Sequence, residues 1–174
     1  MEQIILVDSE DNEIGYEEKG RCHHPKPVLH RALSVFIFND ENEMLITRRS
    51  SGKKTWPLYW SNACCSHPRK GEECGAAAKR RVKEELGIDC SPAFLFKFEY
   101  SAQYNDSWGE HELDWVFAGK HNGIIKPDKD EIKEWKFIGI EELKADVKKN
   151  PEKYTPWFRM SLERVLGHVK RNKF

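Results

Sequence analysis

No charge of either sign predominates in this 174-residue chain, where 29 lysines and arginines are balanced by 29 aspartates and glutamates. A balanced chain has no general electrostatic attraction for DNA, RNA or an anionic membrane, and we therefore expect no nucleic-acid partner. Long apolar runs are also missing. The longest, residues 33–38, is interrupted by Ser34 and is far shorter than the ~20 residues of a membrane-spanning helix, so we expect no insertion into a membrane.

Cysteines are few and follow no metal-finger pattern. They form an odd number without a CxxC pair, and they are Cys22, Cys64, Cys65, Cys74 and Cys90. This distribution predicts free thiols in a reducing compartment. The first residues lack the basic start and the apolar run of a secretory signal. Together these features predict a cytoplasmic protein.

The residues that are present support a folded domain. Apolar residues make up 39% and aromatic residues 11% of the chain, which is enough to bury a core. Residues 39–42 form a strong hairpin signal between two apolar runs. We predict strands at residues 4–7, 33–38, 43–47, 59–64, 93–104, 110–119 and 134–138, and helices at 72–86, 141–149 and 156–170. Strands around one central helix, with two helices at the end, predict a single mixed α/β domain.

The predicted helix at residues 72–86 places a carboxylate on its apolar side. Each helical residue turns about 100°, so Glu85 falls within roughly 20° of Ala78 on the apolar stripe. The other members of that stripe are Gly75, Val82 and Leu86. A carboxylate there needs a metal ion, several donors or a cation. Arg81, one turn earlier, could be that cation, so the helix alone leaves both a metal site and a simple ion pair open.

Acidic residues alternate along the predicted strand at residues 110–119. Successive side chains of a strand point to opposite faces, which puts Glu110, Glu112 and Asp114 together. The opposite face carries Leu113, Trp115 and Phe117. Three carboxylates on one face repel one another unless that face is solvated or holds a cation, and the pattern permits both interpretations.

The same alternation separates two adjacent cysteines. In the segment Cys64-Cys65-Ser66-His67, Cys65 and His67 project together, whereas Cys64 and Ser66 point away. A cysteine most often packs as a small apolar residue. Cys65, in register with a histidine just before Pro68, is the better candidate for chemistry.

Histidines and basic residues concentrate in two further segments. His23, His24 and His30 lie around two prolines that rule out a regular helix, and imidazoles together with carboxylates suit a divalent ion such as Zn²⁺ or Mn²⁺. Four cations directly follow a predicted strand, and they are Arg48, Arg49, Lys53 and Lys54. Such a run is usually a solvated loop, but beside metal ligands it also fits a diphosphate pocket.

Taken in order, these segments resemble the type I isopentenyl diphosphate isomerases. The matching motifs, spread over residues 19–157, are Thr47-Arg48-Arg49, Trp56-Pro57, Trp60-Ser61-Asn62, Cys64-Cys65-Ser66-His67-Pro68 and Arg80-Arg81-Val82-Lys83-Glu84-Glu85-Leu86-Gly87-Ile88. The last motif is similar to that family's version of the Nudix helix. The resemblance implies a Nudix-type α/β/α single domain with a mixed sheet and flanking helices, covering residues 1–174 with its core at about 28–170.

The resemblance also implies an activity and a set of site residues. The activity is the interconversion of isopentenyl diphosphate and dimethylallyl diphosphate in isoprenoid biosynthesis, by a monomer or weak homodimer. Catalytic roles fall on Cys65, Glu112 and Tyr100. A tightly bound Zn²⁺, Mn²⁺ or Mg²⁺ would be held by His23, His30, His67, Glu110 and Glu112. A Mg²⁺ accompanying the diphosphate would be held by Glu85 and the backbone carbonyl of Cys65, and the substrate contacts are Lys19, Arg49, Lys53, Arg81 and Trp157.

The implied reaction adds a proton to an alkene and removes another from the neighbouring carbon, so it needs two proton-handling groups on opposite sides of the substrate. We expect Glu112 with Tyr100 to act as the acid and Cys65 as the base. Two alternatives stay open: a Nudix pyrophosphohydrolase acting on a nucleoside diphosphate derivative, and a non-catalytic metal-binding interaction domain. Against hydrolysis, Ser66 and Arg81 stand where the hydrolase motif has Gly and Glu.

Overall fold

A computed structural model describes residues 3–172 of the chain. The outermost bounds of the predicted domain, residues 1 and 174, lie outside that range. The strands are β1 (Gln3–Val7), β2 (Glu13–Glu18), β3 (His30–Phe38), β4 (Glu43–Arg49), β5 (Trp60–Ser61), β6 (Cys64–Ser66), β7 (Ala93–Gln103), β8 (Gly109–Lys120) and β9 (Ile132–Gly139). The helices are α1 (Lys19–Cys22), α2 (Cys74–Leu86), α3 (Ile140–Lys149) and α4 (Pro156–Asn172), with a short 3₁₀ turn at Pro151–Lys153.

Strand β3 is the centre of one mixed sheet. It runs parallel to β8, from the pair His30 and Glu112 to the pair Phe38 and Lys120, and antiparallel to β1, β4 and β6. Strand β7 pairs with the far side of β8, and β9 with the far side of β4. The predicted hairpin between β3 and β4 is present, although only two residue pairs at its turn end are in register. Strands from distant parts of the chain therefore meet at β3.

Alternation along β3 supplies the two cores. Leu33, Val35 and Ile37 pack with residues of α2 on one face of the sheet. Phe36 and Phe38 pack with residues of α4 on the other. A strand buried on both faces reads as a continuous apolar run, as residues 33–38 do except at Ser34. The α/β/α layering expected from the sequence is confirmed.

Helix α2 begins two residues later than predicted and ends at the predicted place. Gly87 caps it in the left-handed conformation with φ 67°, and its N–H bonds the carbonyl of Lys83. Ala78, Val82, Glu85 and Leu86 are buried as expected. Gly75 is exposed, so its predicted place on the stripe was wrong. Cys74 and Ala77 are buried in the first turn instead.

One other local prediction needs correction, and two elements were not predicted. The single strand predicted at residues 59–64 is two short strands, because β5 pairs with β4 whereas β6 pairs with β3. Strand β2 and helix α1 were not predicted, because β2 has only two apolar side chains, Ile14 and Tyr16, and α1 has only four residues. Across residues 3–172 no helix combines the length and the hydropathy that crossing a bilayer requires.

Candidate active site

Most of the residues singled out in the sequence line one cavity of about 570 Å³. Its walls come from α1, β6, β7, β8, the loop after β4 and the start of α4. The predicted residues among its lining are Lys19, His23, Arg49, Lys53, Cys65, His67, Tyr100, Glu110, Glu112 and Trp157. His30 is completely buried immediately behind them. Arg81 and Glu85 lie outside this lining.

Three imidazoles and a carboxylate converge at one end of the cavity. Ligand atoms of His23, His30, His67 and Glu112 all lie within 4.8 Å of one another. The Nε2 atoms of His30 and His67 are 3.2 Å apart. Oε1 of Glu112 lies 3.1 Å from Nε2 of His67 and 3.5 Å from Nε2 of His30. The arrangement follows from sheet register, because His30 and Glu112 are direct neighbours on β3 and β8.

Backbone contacts aim these imidazoles inward. Nδ1 of His23 donates to the carbonyl of Lys19 at 2.6 Å, and Nδ1 of His30 to that of Val28 at 2.7 Å. Each bond occupies Nδ1 and directs Nε2 towards the cluster. Burial holds the pKa of His67 well below its ordinary value despite its hydrogen bond with Glu112. His67 is thus neutral, which is the form that binds a metal.

Glu112 is ionised at the centre of this cluster. Burial opposes its ionisation, but hydrogen bonds with His30 and His67 outweigh burial and hold its pKa well below the ordinary value. Oε2 of Glu110 lies 2.8 Å from Nε2 of His23, which adds a second carboxylate beside the cluster. Imidazoles together with carboxylates fit a divalent ion. The solvated-face interpretation of the acidic strand is wrong, because Glu110, Glu112 and Asp114 are all buried.

Tyr100 contacts the other oxygen of Glu112. The two residues are partners on β7 and β8, and the phenol donates to Oε2 at 2.5 Å. Burial, reinforced by the negative charge of Glu112, raises the pKa of Tyr100 well above its ordinary value. Tyr100 consequently keeps its proton and serves as a donor to the carboxylate.

Cys65 lies on the same face of the sheet. Its Sγ accepts from Nε1 of Trp157 at 3.1 Å and donates to Oδ1 of Asn62 at 3.1 Å. Burial, reinforced by the negative charge of Asp114, raises the pKa of the thiol to about 12. Cys64 packs against α2 on the opposite face, so the predicted division between the two cysteines is confirmed.

Arg49 and Lys53 bring positive charge to the cavity mouth. Nε and Nη2 of Arg49 donate to the carbonyls of Trp56 and Thr55 at 3.0 and 2.9 Å, and its guanidinium lies 5.2 Å from the ring of Trp157. Lys53 forms an ion pair with Glu131. Arg48 and Arg49 were expected to follow the strand but are its last two residues. Arg49 and Lys53 both have partners within the protein, so this basic segment is not a freely solvated charge run.

Glu85 has a cation of its own. Nη2 of Arg81 lies 2.5 Å from Oε1 of Glu85 and 3.2 Å from Oε1 of Glu131. The simple ion pair that the helix pattern left open is thus present. Glu131 bridges Arg81 to Lys53, which links the end of α2 to the basic loop.

Sequence reasoning missed three polar residues around the site, Ser34, Thr55 and Glu131, and it did not foresee the contact between Ser34 and Asp114. Ser34 and Cys65 are register partners on β3 and β6, and the hydroxyl of Ser34 donates to Oδ2 of Asp114 at 2.7 Å. The serine that interrupts the apolar run of residues 33–38 was the available signal. Thr55 and Glu131 lie in loops where no periodicity exists to mark them.

Comparison with known proteins is informative over most of the chain. Residues 28–158 match the NUDIX domain family. "Isopentenyl-diphosphate Delta-isomerase 2" of Aromatoleum aromaticum is 42% identical over 166 residues, covering 95% of this chain and 87% of that protein. "Isopentenyl-diphosphate Delta-isomerase 1" of Mesocricetus auratus is 41% identical over 187 residues, covering 95% and 82%.

Solved structures share the fold at low identity. A MutT protein from Methanosarcina mazei Go1 superposes with a TM-score of 0.67 at 21% identity, covering 84% of this chain and 96% of that one. A protein from Deinococcus radiodurans named DR0079 gives 0.66 at 19%, covering 86% and 90%. These similarities support the mixed sheet with flanking helices and carry no information on substrate.

Proposed function

The chain belongs to the NUDIX domain family and, within it, to the isopentenyl-diphosphate Delta-isomerases, and from this premise we propose how its own residues perform the isomerisation. The substrate is isopentenyl diphosphate and the product dimethylallyl diphosphate. The observation that carries the assignment is that Cys65 and Glu112, from different strands, line the same cavity.

The chemistry needs one proton added and one removed. A proton delivered to the terminal alkene carbon leaves a cation-like centre at the neighbouring tertiary carbon. Loss of a proton from the next carbon along then forms the new double bond, so protons and electrons balance. The cavity has two proton-handling groups. One is Glu112 together with Tyr100, and the other is Cys65. In the direction from isopentenyl to dimethylallyl diphosphate, we assign delivery to Glu112 with Tyr100 and removal to Cys65.

The pKa directions define the resting state of this pair. The pKa of Cys65 is raised to about 12 by burial, whereas that of Glu112 is lowered by His30 and His67 despite its burial. The resting pair is therefore thiol and carboxylate. One proton must pass from Cys65 to the Glu112–Tyr100 pair before isopentenyl diphosphate is protonated. The resting arrangement is itself the one needed for the reverse reaction, in which Cys65 delivers and Glu112 removes.

Two divalent ions belong to the proposal. His23, His30, His67, Glu110 and Glu112 would hold the first, a Zn²⁺, Mn²⁺ or Mg²⁺. Glu85 and the backbone carbonyl of Cys65 would hold a Mg²⁺ that accompanies the diphosphate. When bound, these ions supply positive charge that fixes the carboxylates and neutralises the diphosphate. In the structure the carboxylate oxygen of Glu85 that is paired with Arg81 is Oε1.

Cations and aromatic rings fit the two ends of the substrate. Lys19, Arg49 and Lys53 line the cavity and would bind the diphosphate oxygens, with Arg81 contributing from its position beside Glu131. Trp157 would present its ring to the cationic centre, an interaction worth about 2 kcal/mol when desolvated. Its indole N–H meanwhile bonds Cys65, which keeps the thiol directed at the same region.

One assay tests the proposal. The purified protein is incubated with isopentenyl diphosphate and Mg²⁺, and dimethylallyl diphosphate and released phosphate are both quantified. We expect the allylic isomer without phosphate release. In a parallel incubation with a nucleoside diphosphate derivative, cleavage to the nucleoside monophosphate, without isomerisation in the first incubation, would establish the pyrophosphohydrolase alternative. Absence of both reactions would leave the metal-binding interaction domain.

A further inference from the structure

We propose that Thr55 is a positioning residue that makes binding of the diphosphate and binding of the divalent ion at the histidine cluster cooperative. This inference rests on the proposed function, because it takes Arg49 as a diphosphate contact and Glu110 as a metal ligand. Thr55 is buried and lines the cavity between those two residues. Its hydroxyl donates to Glu110, and both its carbonyl and, at 3.5 Å, its hydroxyl accept from Nη2 of Arg49.

The side chain of Thr55 acts on Glu110. Its hydroxyl donates to Oε1 of Glu110 at 2.7 Å, and Oε2 of the same carboxylate lies 2.8 Å from Nε2 of His23. The bond therefore decides which oxygen faces the histidine cluster. Partners behind a metal ligand fix its orientation and change metal affinity by about 10–100-fold when removed.

The backbone of Thr55 is bound to Arg49. Nη2 of Arg49 donates to the carbonyl of Thr55 at 2.9 Å, and Nε donates to the carbonyl of Trp56 at 3.0 Å. An anion that fixes the guanidinium thus also fixes the backbone of residues 55–56. Because the Thr55 hydroxyl moves with that backbone, the oxygen that orients Glu110 becomes ordered at the same time.

Cooperativity follows from this shared segment. Whichever ligand binds first holds the Arg49–Thr55–Glu110 chain in its hydrogen-bonded arrangement, and the second ligand then pays less of the entropic cost of holding it. Linkage makes the effect reciprocal, so the ion should raise diphosphate affinity by the same factor as diphosphate raises ion affinity. Removal of the Thr55 hydroxyl should uncouple the sites while leaving the ligand atoms of both in place.

The experiment measures the coupling factor, which is the ratio of the diphosphate affinities with and without the bound ion. Co²⁺ is loaded on the histidine cluster, and inorganic diphosphate is titrated by calorimetry into loaded and metal-free protein while the Co²⁺ absorption band reports that the ion stays bound. For the wild type we expect diphosphate to bind the Co²⁺-loaded protein at least about 5-fold more tightly than the metal-free protein. Thr55→Val should bring the ratio to about one, and Thr55→Ser, which keeps the hydroxyl, should preserve it.

Thr47→Val is the matched control, because Thr47 is also buried but donates to the carbonyl of Asn62. It should keep the wild-type ratio. If Thr55→Val does not fold, Thr55→Ala carries the same expectation. A wild-type ratio of one, or a wild-type ratio in the folded Thr55 variant, overturns the proposal. A coupled wild type that isomerises no isopentenyl diphosphate would refute the proposed function and leave the coupling standing.

Discussion

Tyr100 and Glu112 are register partners on neighbouring antiparallel strands, joined by a 2.5 Å hydrogen bond from the phenol to Oε2. The other carboxylate oxygen contacts His67 and His30. One side chain is thus shared between a proton donor and a metal-binding cluster. The two contacts can be separated by substitution, because the phenol bonds Oε2 whereas the imidazoles contact Oε1.

Replacing Tyr100 by Phe should lower kcat by about 10²-fold or more, within the range for loss of a proton-transfer group. KM and the content of bound divalent ion should change little, since the imidazoles remain. Steady-state kinetics and metal analysis of the purified variant measure both. Tyr104→Phe is the control, because that ring packs against Trp56. Loss of the ion in Tyr100→Phe would mean that the phenol supports the metal cluster instead.

The adjacent cysteines offer a test of chemistry against packing. Cys65→Ser should fold and lose most turnover, because a serine hydroxyl is far less acidic than a thiol. Cys64→Ser should retain turnover and lose modest stability, because Cys64 is packed against α2. The values of kcat and the melting temperatures of both variants distinguish a role in turnover from a role in packing. A greater kcat loss in Cys64→Ser would overturn the role of Cys65.

The histidine cluster should govern metal content. His67→Ala should reduce the bound divalent ion and activity together, because it removes one Nε2 from the convergence point. His111→Ala serves as a control, since that imidazole contacts Glu99 away from the cavity. Full activity of the wild type in excess chelator would refute metal dependence.

Asp114 should make the free energy of unfolding fall as pH rises. Burial, reinforced by the charge of Glu112, raises its pKa well above the ordinary value. The unfolded chain releases this proton at a lower pH than the native state does. The stabilisation linked to protonated Asp114 is therefore fully present below the pKa that its carboxyl group has in the unfolded chain. It is lost as the pH rises through the higher pKa that the group has in the folded protein. Asp114→Asn should melt several degrees higher at neutral pH and show a smaller decrease between pH 5 and 8. Equal slopes for both proteins would contradict this assignment.

Alternation and helical periodicity predicted the parts of the site that lie on regular elements. They placed Glu110, Glu112 and Asp114 on one face and separated Cys65 from Cys64, because a period of two is a property of the backbone. They also placed Glu85 on the buried side of α2. The convergence of His30 with Glu112 could not be predicted from pattern, since it depends on the parallel pairing of β3 with β8.

Loop residues were beyond this reasoning for a physical reason. Thr55 and Glu131 have no repeating neighbours, and their contacts with Glu110, Lys53 and Arg81 are made by tertiary packing alone. The split of residues 59–64 into β5 and β6 likewise depends on two different partner strands. Local sequence specifies strand character, and pairing decides where each strand ends.

The burial of Cys65 affects how readily its thiol is oxidised by peroxides. Peroxides attack thiolates, and their attack on neutral thiols is far slower. Burial raises the pKa of Cys65 to about 12, which keeps the side chain a neutral thiol near pH 7. The sulfur to which we assign proton removal is thereby kept in a form that resists conversion to sulfenic acid, although it lines an open cavity.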